Sequence, residues 1–253
     1  MMSKLIDFVT TILSEFPEGR LTYQKGLATF HPESANEAAK LILLANNHKQ
    51  ELFITGFGNN IDPVGGKFEN LLIISADRLN SIIKIVPEDF YIVVGGGYPL
   101  KEIDIHLKEH NLFFPHAGLP YVGSIGGALS VGLSAQWDMH PLPISRYFIM
   151  GEIVTPQGEI INPGSVCFKS VSGFDIVKLF SPSWGQLGII ASATLRVLPI
   201  SVRQEYETIK MFPVDFGRFA ELYRKPGHNI SANYSLKIKT KFDPNNILPL
   251  VVP

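Results

Sequence analysis

The sequence predicts an α+β fold of two lobes with a short C-terminal extension. Three observations predict it. Helically spaced apolar residues alternate with short apolar runs over the first part of the chain. From Gly151 onward short strands separated by turn residues take over. The strand ends carry clusters of glycine, which turn a chain sharply or let backbone approach a ligand. The domain reading is an N-terminal helical extension over residues 1–29 and a main domain over 30–200, with lobes 30–95 and 96–200. A reduced C-terminal segment spans residues 201–253.

Each element follows from local pattern. Leu5, Phe8, Val9, Ile12 and Leu13 recur at helical spacing, so residues 4–15 read as an amphipathic helix that stops before Pro17 and Gly19. A loop and a short strand at 27–31 follow. Ser34, with Glu37 three residues on, is the N-cap signature of a helix over 35–47. Residues 51–55 form a strand that runs straight into Gly56-Phe57-Gly58-Asn59-Asn60. Residues 71–74 and 91–94 are further apolar strands. The second ends in Gly95-Gly96-Gly97, read as a hinge or turn between lobes with no ligand. Pro99 opens a helix that continues to about His110. Strands at 152–155 and 159–161 flank Thr155-Pro156-Gln157-Gly158, a hairpin signal. A strand at 188–198 ends at Pro199, and residues 201–253 lose periodicity.

Composition narrows the function. At 45% hydrophobic and 18% charged the chain can bury a substantial core. Its formal net charge of −1 gives no reason to expect nucleic acid or an anionic membrane as partner. No apolar run reaches the length of a membrane span, and the first residues do not read as a signal peptide, so a cytoplasmic location is expected. A single cysteine, Cys167, excludes an internal disulfide framework and a cysteine-ligated zinc or iron–sulfur site made by this chain alone.

The chemistry lies in the glycine loops. Gly123-Ser124-Ile125-Gly126-Gly127, continued by Ala128, Ser130, Gly132, Ser134 and Ala135, can form a nest that holds an anion and a surface on which something flat can lie. Gly56–Asn60 sits at a strand end and presents successive N–H groups to a pyrophosphate or makes a tight turn. It is neither a Rossmann fingerprint, since Ile61 stands where the third glycine belongs, nor a P-loop. Gly185-Gln186-Leu187-Gly188-Ile189-Ile190 reads equally as a ligand loop and as a β-turn.

The reactive inventory is thin. His106 and His110 stand four apart on a helix, but Leu107 replaces the glutamate that a zincin pattern needs. His116 either faces a ligand or bonds a loop carbonyl. Ser183 lacks the G-x-S-x-G elbow of a nucleophile. Lys169, Asp175 and Lys178 read as a local ion-pair cluster, and Arg146 pairs with a phosphate or with a surface carboxylate.

The loops in this order resemble one family. Phe30-His31-Pro32-Glu33-Ser34 and Leu52-Phe53-Ile54-Thr55-Gly56-Phe57-Gly58 look like the opening of FAD-linked oxidases of the vanillyl-alcohol oxidase, or PCMH, type. Gly123-Ser124-Ile125-Gly126-Gly127 is a second match. Lys169-Ser170-Val171-Ser172-Gly173-Phe174-Asp175 through Leu179, with Ser183-Trp184-Gly185-Gln186-Leu187-Gly188-Ile189-Ile190, is similar to a block of the flavin-binding subunits of bacterial glycolate oxidases. Lys241-Phe242-Asp243-Pro244-Asn245-Asn246-Ile247-Leu248 resembles the family's closing motif.

The resemblance implies a two-lobed PCMH-type domain with FAD extended between the lobes. By motif, Thr55, Gly56, Phe57, Gly58, Asn59 and Asn60 would hold the pyrophosphate, and Gly123, Ser124, Gly126 and Gly127 would complete that cradle. Ser130 and Ser134 would line the ribityl and isoalloxazine path, and Gly188, Ile189 and Ile190 would touch the cofactor through backbone. Phe57 and Asn59 replace small residues usual in that loop. No His or Cys stands at 55–62, where covalent members carry their attachment, so the FAD is expected to be non-covalent. Residues 201–240 are too short for the family's substrate-binding cap, so no catalytic residue carries over.

The implied activity is oxidation of a small 2-hydroxy acid, with electrons passed to an iron–sulfur or second flavoprotein subunit. The alternatives are a non-catalytic FAD-binding subunit, a reductase like that acting on UDP-N-acetylenolpyruvylglucosamine, and a protein that has lost its flavin.

Overall fold

The computed structural model describes residues 2–59, 66–137, 139–166, 176–214 and 230–251. Helix α1 (Met2–Glu15) buries Phe8 and Ile12, two of the positions its spacing singled out. Strands β1 (Leu21–Gln24) and β2 (Leu27–Phe30) form an antiparallel hairpin of which the sequence revealed only the second strand. Helix α2 (Ala35–His48) starts at Ser34, whose side chain accepts the N–H of Glu37. Glu37 reaches back to the N–H of Glu33 at 2.9 Å and is bridged by Arg20. Beyond it lie β3 (Leu52–Thr55) and β4 (Leu72–Ser75). The first sheet has the order β1-β2-β4-β3, with β2, β4 and β3 parallel. Leu41 and Ile42 of α2 are wholly buried with Phe8, Phe30, Leu52 and Leu72. Each such side chain contributes about 2 kcal/mol by leaving water.

The second sheet begins earlier than the glycine run at 95–97. Strands β5 (Ile82–Val86) and β6 (Tyr91–Gly95) belong to it, so the change of sheet falls at residues 76–81. Gly95-Gly96-Gly97 is therefore packed inside the structure. A Cβ on Gly96 would meet the Ile190 carbonyl oxygen at 1.9 Å, and one on Gly97 the Ala76 carbonyl oxygen at 1.8 Å. The expected helix from Pro99 is broken: a five-residue α3 (Ile103–Leu107) lies between two 3₁₀ turns. Strand β7 (Leu112–Phe113) leads to α4 (Ile125–Val131) and the hairpin β8 (Ser134–Trp137) and β9 (His140–Pro143). Then come β10 (Phe148–Val154), β11 (Ile160–Ile161) and β12 (Ile189–Arg196). The second sheet is antiparallel, in the order β11-β10-β12-β6-β5. Two short pairs follow, β13 (Leu198–Pro199) on β7 and β14 (Lys210–Met211) on β8.

The lobes share apolar packing. Val154, Ile189 and Ala191 of the second sheet lie in the same buried cluster as Phe30, Leu52 and Ile74 of the first. Ile247 and Leu248, after helix α5 (Ile230–Phe242), enter it too. A buried polar clip holds them. The Asp243 carboxylate, 3% exposed, accepts the N–H groups of Ile247 (2.9 Å) and Leu248 (3.0 Å) and pairs with Lys239. Burial pulls the Lys239 ammonium below the usual lysine range although Asp243 opposes the shift. The Ile247 carbonyl then accepts the N–H of Leu52 at 2.7 Å, tying the tail to β3.

Replacing Asp243→Ala strands a buried ammonium and two N–H groups. It should cost about 3 kcal/mol or more. A fall in urea midpoint at constant slope checks it.

Candidate functional site

Thr55 and Ser75 pair at the carboxyl ends of β3 and β4, so both strands open toward the same side. That edge is where open parallel sheets hold ligands. The loop beyond β3 is folded back locally: Gly58 N–H donates to Thr55 Oγ1 at 3.1 Å, and Ser75 Oγ donates to the Gly56 carbonyl at 2.8 Å. The start of α4 faces it. Ser124 caps that helix by accepting the Gly127 N–H on its hydroxyl at 3.1 Å. The two loops touch where side chains are absent. A Cβ on Gly56 would lie 2.5 Å from Ser124 Oγ. Asn59 Nδ2 adds a tie by donating to the Val122 carbonyl at 2.8 Å. Behind the contact, Gly126 N–H donates to Gly96 O (2.7 Å) and Gly96 N–H to Ala191 O (2.8 Å), seating α4 on the second sheet.

Between these loops lies a cavity of about 450 Å³. Its wall brings together Thr55, Gly56, Phe57, Gly58 and Asn59 with Gly123, Ser124, Gly126, Gly127 and Ser130, and with Gly188, Ile189 and Ile190. Phe57 is half-buried and forms part of the wall. Asn60 lies outside the described residues, as do Cys167, Lys169 and Asp175. Ser134 does not line the cavity. The chain leaves α4 through Gly132 in the left-handed region (φ 65°), and Ser134 then pairs with Pro143 in the β8–β9 hairpin.

The amides divide into two sets. Those of Gly126 and Gly127 are already donated, so these glycines offer the cavity only a Cα surface. Those of Phe57, Asn59, Gly123 and Ser124 donate to no described residue. Gly188 has φ 133°, and a Cβ there would meet the Val154 carbonyl oxygen at 2.3 Å, so only glycine lets β12 begin at this depth.

Sequence reasoning missed Tyr121 and Trp184, which also line the cavity with Met211 and Val214. The glycine spacing carried a signal for the first. The Tyr121 ring occupies the space that a Cβ on Gly123 would need, at 2.6 Å, and its hydroxyl that of a Cβ on Gly127, at 3.0 Å. Burial pushes this phenol up to about 12. Among the described lining residues it is the sole ionisable side chain; none is Asp, Glu, His, Lys or Arg. The described wall presents amide dipoles that suit an anion and holds no general base for neutral pH.

The remaining candidates fall elsewhere. His116 is wholly buried outside the cavity wall, and its Nε2 donates to the Leu142 carbonyl at 2.9 Å. Burial lowers it to about 4. Lys178 donates to the carbonyls of Ser145 and Phe148. Ser183 Oγ is buried without a partner and is not part of the wall. His31 joins Asp77 at 2.7 Å and Thr22 at 2.8 Å beneath the first sheet edge.

A family model described as an FAD binding domain matches residues 27–164. The chain is 25% identical over 169 residues to a D-lactate dehydrogenase of Archaeoglobus fulgidus, covering 66% of this chain and 38% of that protein. It is 24% identical over 174 residues to glycolate oxidase subunit GlcD of Bacillus subtilis, covering 68% and 37%. It is 28% identical over 174 residues to a mitochondrial D-lactate dehydrogenase (cytochrome) of Arabidopsis thaliana, covering 67% and 30%. The fold is shared with a solved alkyldihydroxyacetonephosphate synthase at TM-score 0.63 and 20% identity, over 77% of this chain and 40% of that one. The aligned part thus spans between 30% and 38% of these curated relatives.

The loop contact predicts a coupled pair. Gly56→Ala should destabilise by about 1–3 kcal/mol through overpacking, and Ser124→Ala by about 1 kcal/mol through loss of the cap. The double variant should cost less than the sum, because removing the hydroxyl makes room for the methyl. Urea titration of the three variants checks it.

His116 predicts an acid limit. Its folded value near 4 lies below the ordinary value of 6.5, so the unfolded chain binds the proton first. Stability should therefore fall as pH drops from 6.5 toward 4, by roughly 3 kcal/mol in all. His116→Gln should flatten the melting temperature across that window.

Proposed function

The chain belongs to the FAD binding domain family, and we propose that it is the FAD-carrying component of an oxidoreductase that oxidises a small 2-hydroxy acid. The observation that carries this is the contact of Gly56 with Ser124, which leaves two sets of side-chain-free backbone facing one cavity. The unused amides of Phe57, Asn59, Gly123 and Ser124 suit a diphosphate. Gly126, Gly127 and Gly188 give flat surface, and Ile189 and Ile190 give apolar wall. Thr55, Gly58 and Ser130 complete the proposed binding set. Bound FAD supplies the acceptance of a hydride or an electron pair; this chain supplies binding and orientation. With no His or Cys at residues 55–62, attachment is proposed to be non-covalent.

The substrate class rests on the relatives named D-lactate dehydrogenase and glycolate oxidase subunit. The described wall holds no ionisable group other than Tyr121, and a partner subunit is proposed to contribute the base and the substrate contacts. The single cysteine puts any iron–sulfur relay in that partner. The same observation favours a second reading, a subunit that holds FAD without substrate chemistry.

The purified chain should be yellow, and added FAD should raise its melting temperature. At a hundredfold excess over Kd the gain is about 2.7 kcal/mol. A colourless protein indifferent to FAD would sink the proposal. Anaerobic glycolate or D-lactate should bleach the flavin only once a partner is present. Bleaching of the isolated chain removes the partner requirement, and no bleaching even with a partner selects the second reading.

A further inference from the structure

Ser124, Gly127, Ser130 and Val131 recur at three- and four-residue spacing, so one face of α4 lines the cavity from end to end. At 1.5 Å per residue that face is about 10 Å long. The unused amides cluster at its beginning, beside Ser124. Its far end is of different character. There the Ser130 carbonyl accepts two N–H groups, from Ser183 at 3.0 Å and Trp184 at 2.8 Å, which hangs residues 183–184 on the last turn of the helix. Trp184 lines the cavity at that end, half-buried, in a wall that also includes Val131, Met211 and Val214.

The backbone of Trp184 is unusual. Its φ is 53°, in the left-handed region, and Gly185 follows at 73°. Glycine takes that conformation freely, whereas a bulky aromatic residue resists it and stays there only when its surroundings hold it. Here the bonds from Ser183 and Trp184 to Ser130 fix the turn, and Trp184 is part of the cavity wall. The chain's other tryptophan, Trp137, stacks on Tyr206 with ring centroids 5.2 Å apart and donates its indole N–H to the Glu205 carbonyl.

We propose that Trp184 is a positioning residue that packs against one flat heteroaromatic ring of the bound dinucleotide, an assignment that rests on the FAD reading above. FAD carries a ring on each side of its diphosphate. A diphosphate held at the start of α4 leaves one ring to run along the helix toward Trp184. An indole face suits such a ring, because offset stacking of two flat aromatic systems adds attraction beyond the area buried. The ring is adenine or isoalloxazine, and the half-ligands ADP and FMN separate the two.

The test measures FAD, ADP and FMN affinities by calorimetry for wild type, Trp184→Gly and Trp184→Phe. Trp184→Gly suits the left-handed backbone, so the apo protein should keep or raise its melting temperature and remain folded. Its FAD affinity should fall by about tenfold or more, and Trp184→Phe should recover it to within about threefold. A parallel loss for ADP assigns adenine to Trp184; a parallel loss for FMN assigns the flavin. In a Trp137→Phe background, ligand binding should also change the emission of Trp184, the one indole left. Folded Trp184→Gly with wild-type affinity for all three ligands overturns the proposal while leaving the FAD reading intact. Wild-type protein that binds no FAD overturns both.

Discussion

The site depends on the close approach of two backbones. Gly56 lies so near Ser124 that a methyl group would collide with the hydroxyl, and Gly96 lies so near Ile190 and Gly126 that side chains are excluded from both. These contacts set the first sheet edge, the start of α4 and the second sheet at fixed separation. Where they fall, the cavity wall is free of side chains, so main-chain groups face the cavity there. Glycine here is a requirement of packing, and ligand access is its consequence. Gly126 and Gly127 illustrate the order of cause: their amides are consumed by Gly96 and Ser124, and what they contribute to the cavity is the lack of a side chain.

The rest of the molecule holds that approach in place. The first sheet cannot drift from the second because Val154, Ile189 and Ala191 pack into its core. The tail cannot drift from β3 because Asp243 organises Ile247 and Leu248 against Leu52. A buried ion pair is a poor source of net stability, since desolvation offsets the attraction. Its use at Lys239 and Asp243 is geometric: the carboxylate fixes two amides and so directs two apolar side chains into the shared core.

Much of this was legible in the sequence, and the failures have physical causes. Helices α1 and α2 followed from spacing and from the Ser34 cap, because both are local. Strands β3, β4, β6 and β12 followed from apolar runs, but their sheet membership did not, because pairing of β6 with β12 joins residues about a hundred apart. Hence the glycines at 95–97 looked like a hinge, while the chain had already changed sheets. Strand β5 was overlooked because Ile83 and Lys84 leave it half exposed, with no clean alternation. Thirteen of the fifteen candidate residues line one cavity. Ser134 lies outside it because the small-residue pattern continues past Gly132 although the helix does not. Tyr121 and Trp184 were missed because a search for backbone donors passes over large side chains, and the left-handed backbone of Trp184 leaves no trace in residue type.

A cavity whose described wall carries amide dipoles and apolar surface but, apart from Tyr121, no ionisable side chain separates two tasks that many enzymes combine. Holding an anionic cofactor needs oriented amides and exclusion of side chains, and a stretch of chain this short can supply both. Moving a proton from a substrate near neutral pH needs a group that titrates there, and Tyr121, pushed up to about 12, remains protonated. Burying a charged base in this wall would carry its own penalty, since no described lining residue offers it an opposite charge. A base for such a proton would therefore have to come from groups other than the described wall. On that account the described wall suits an anion better than it suits proton transfer.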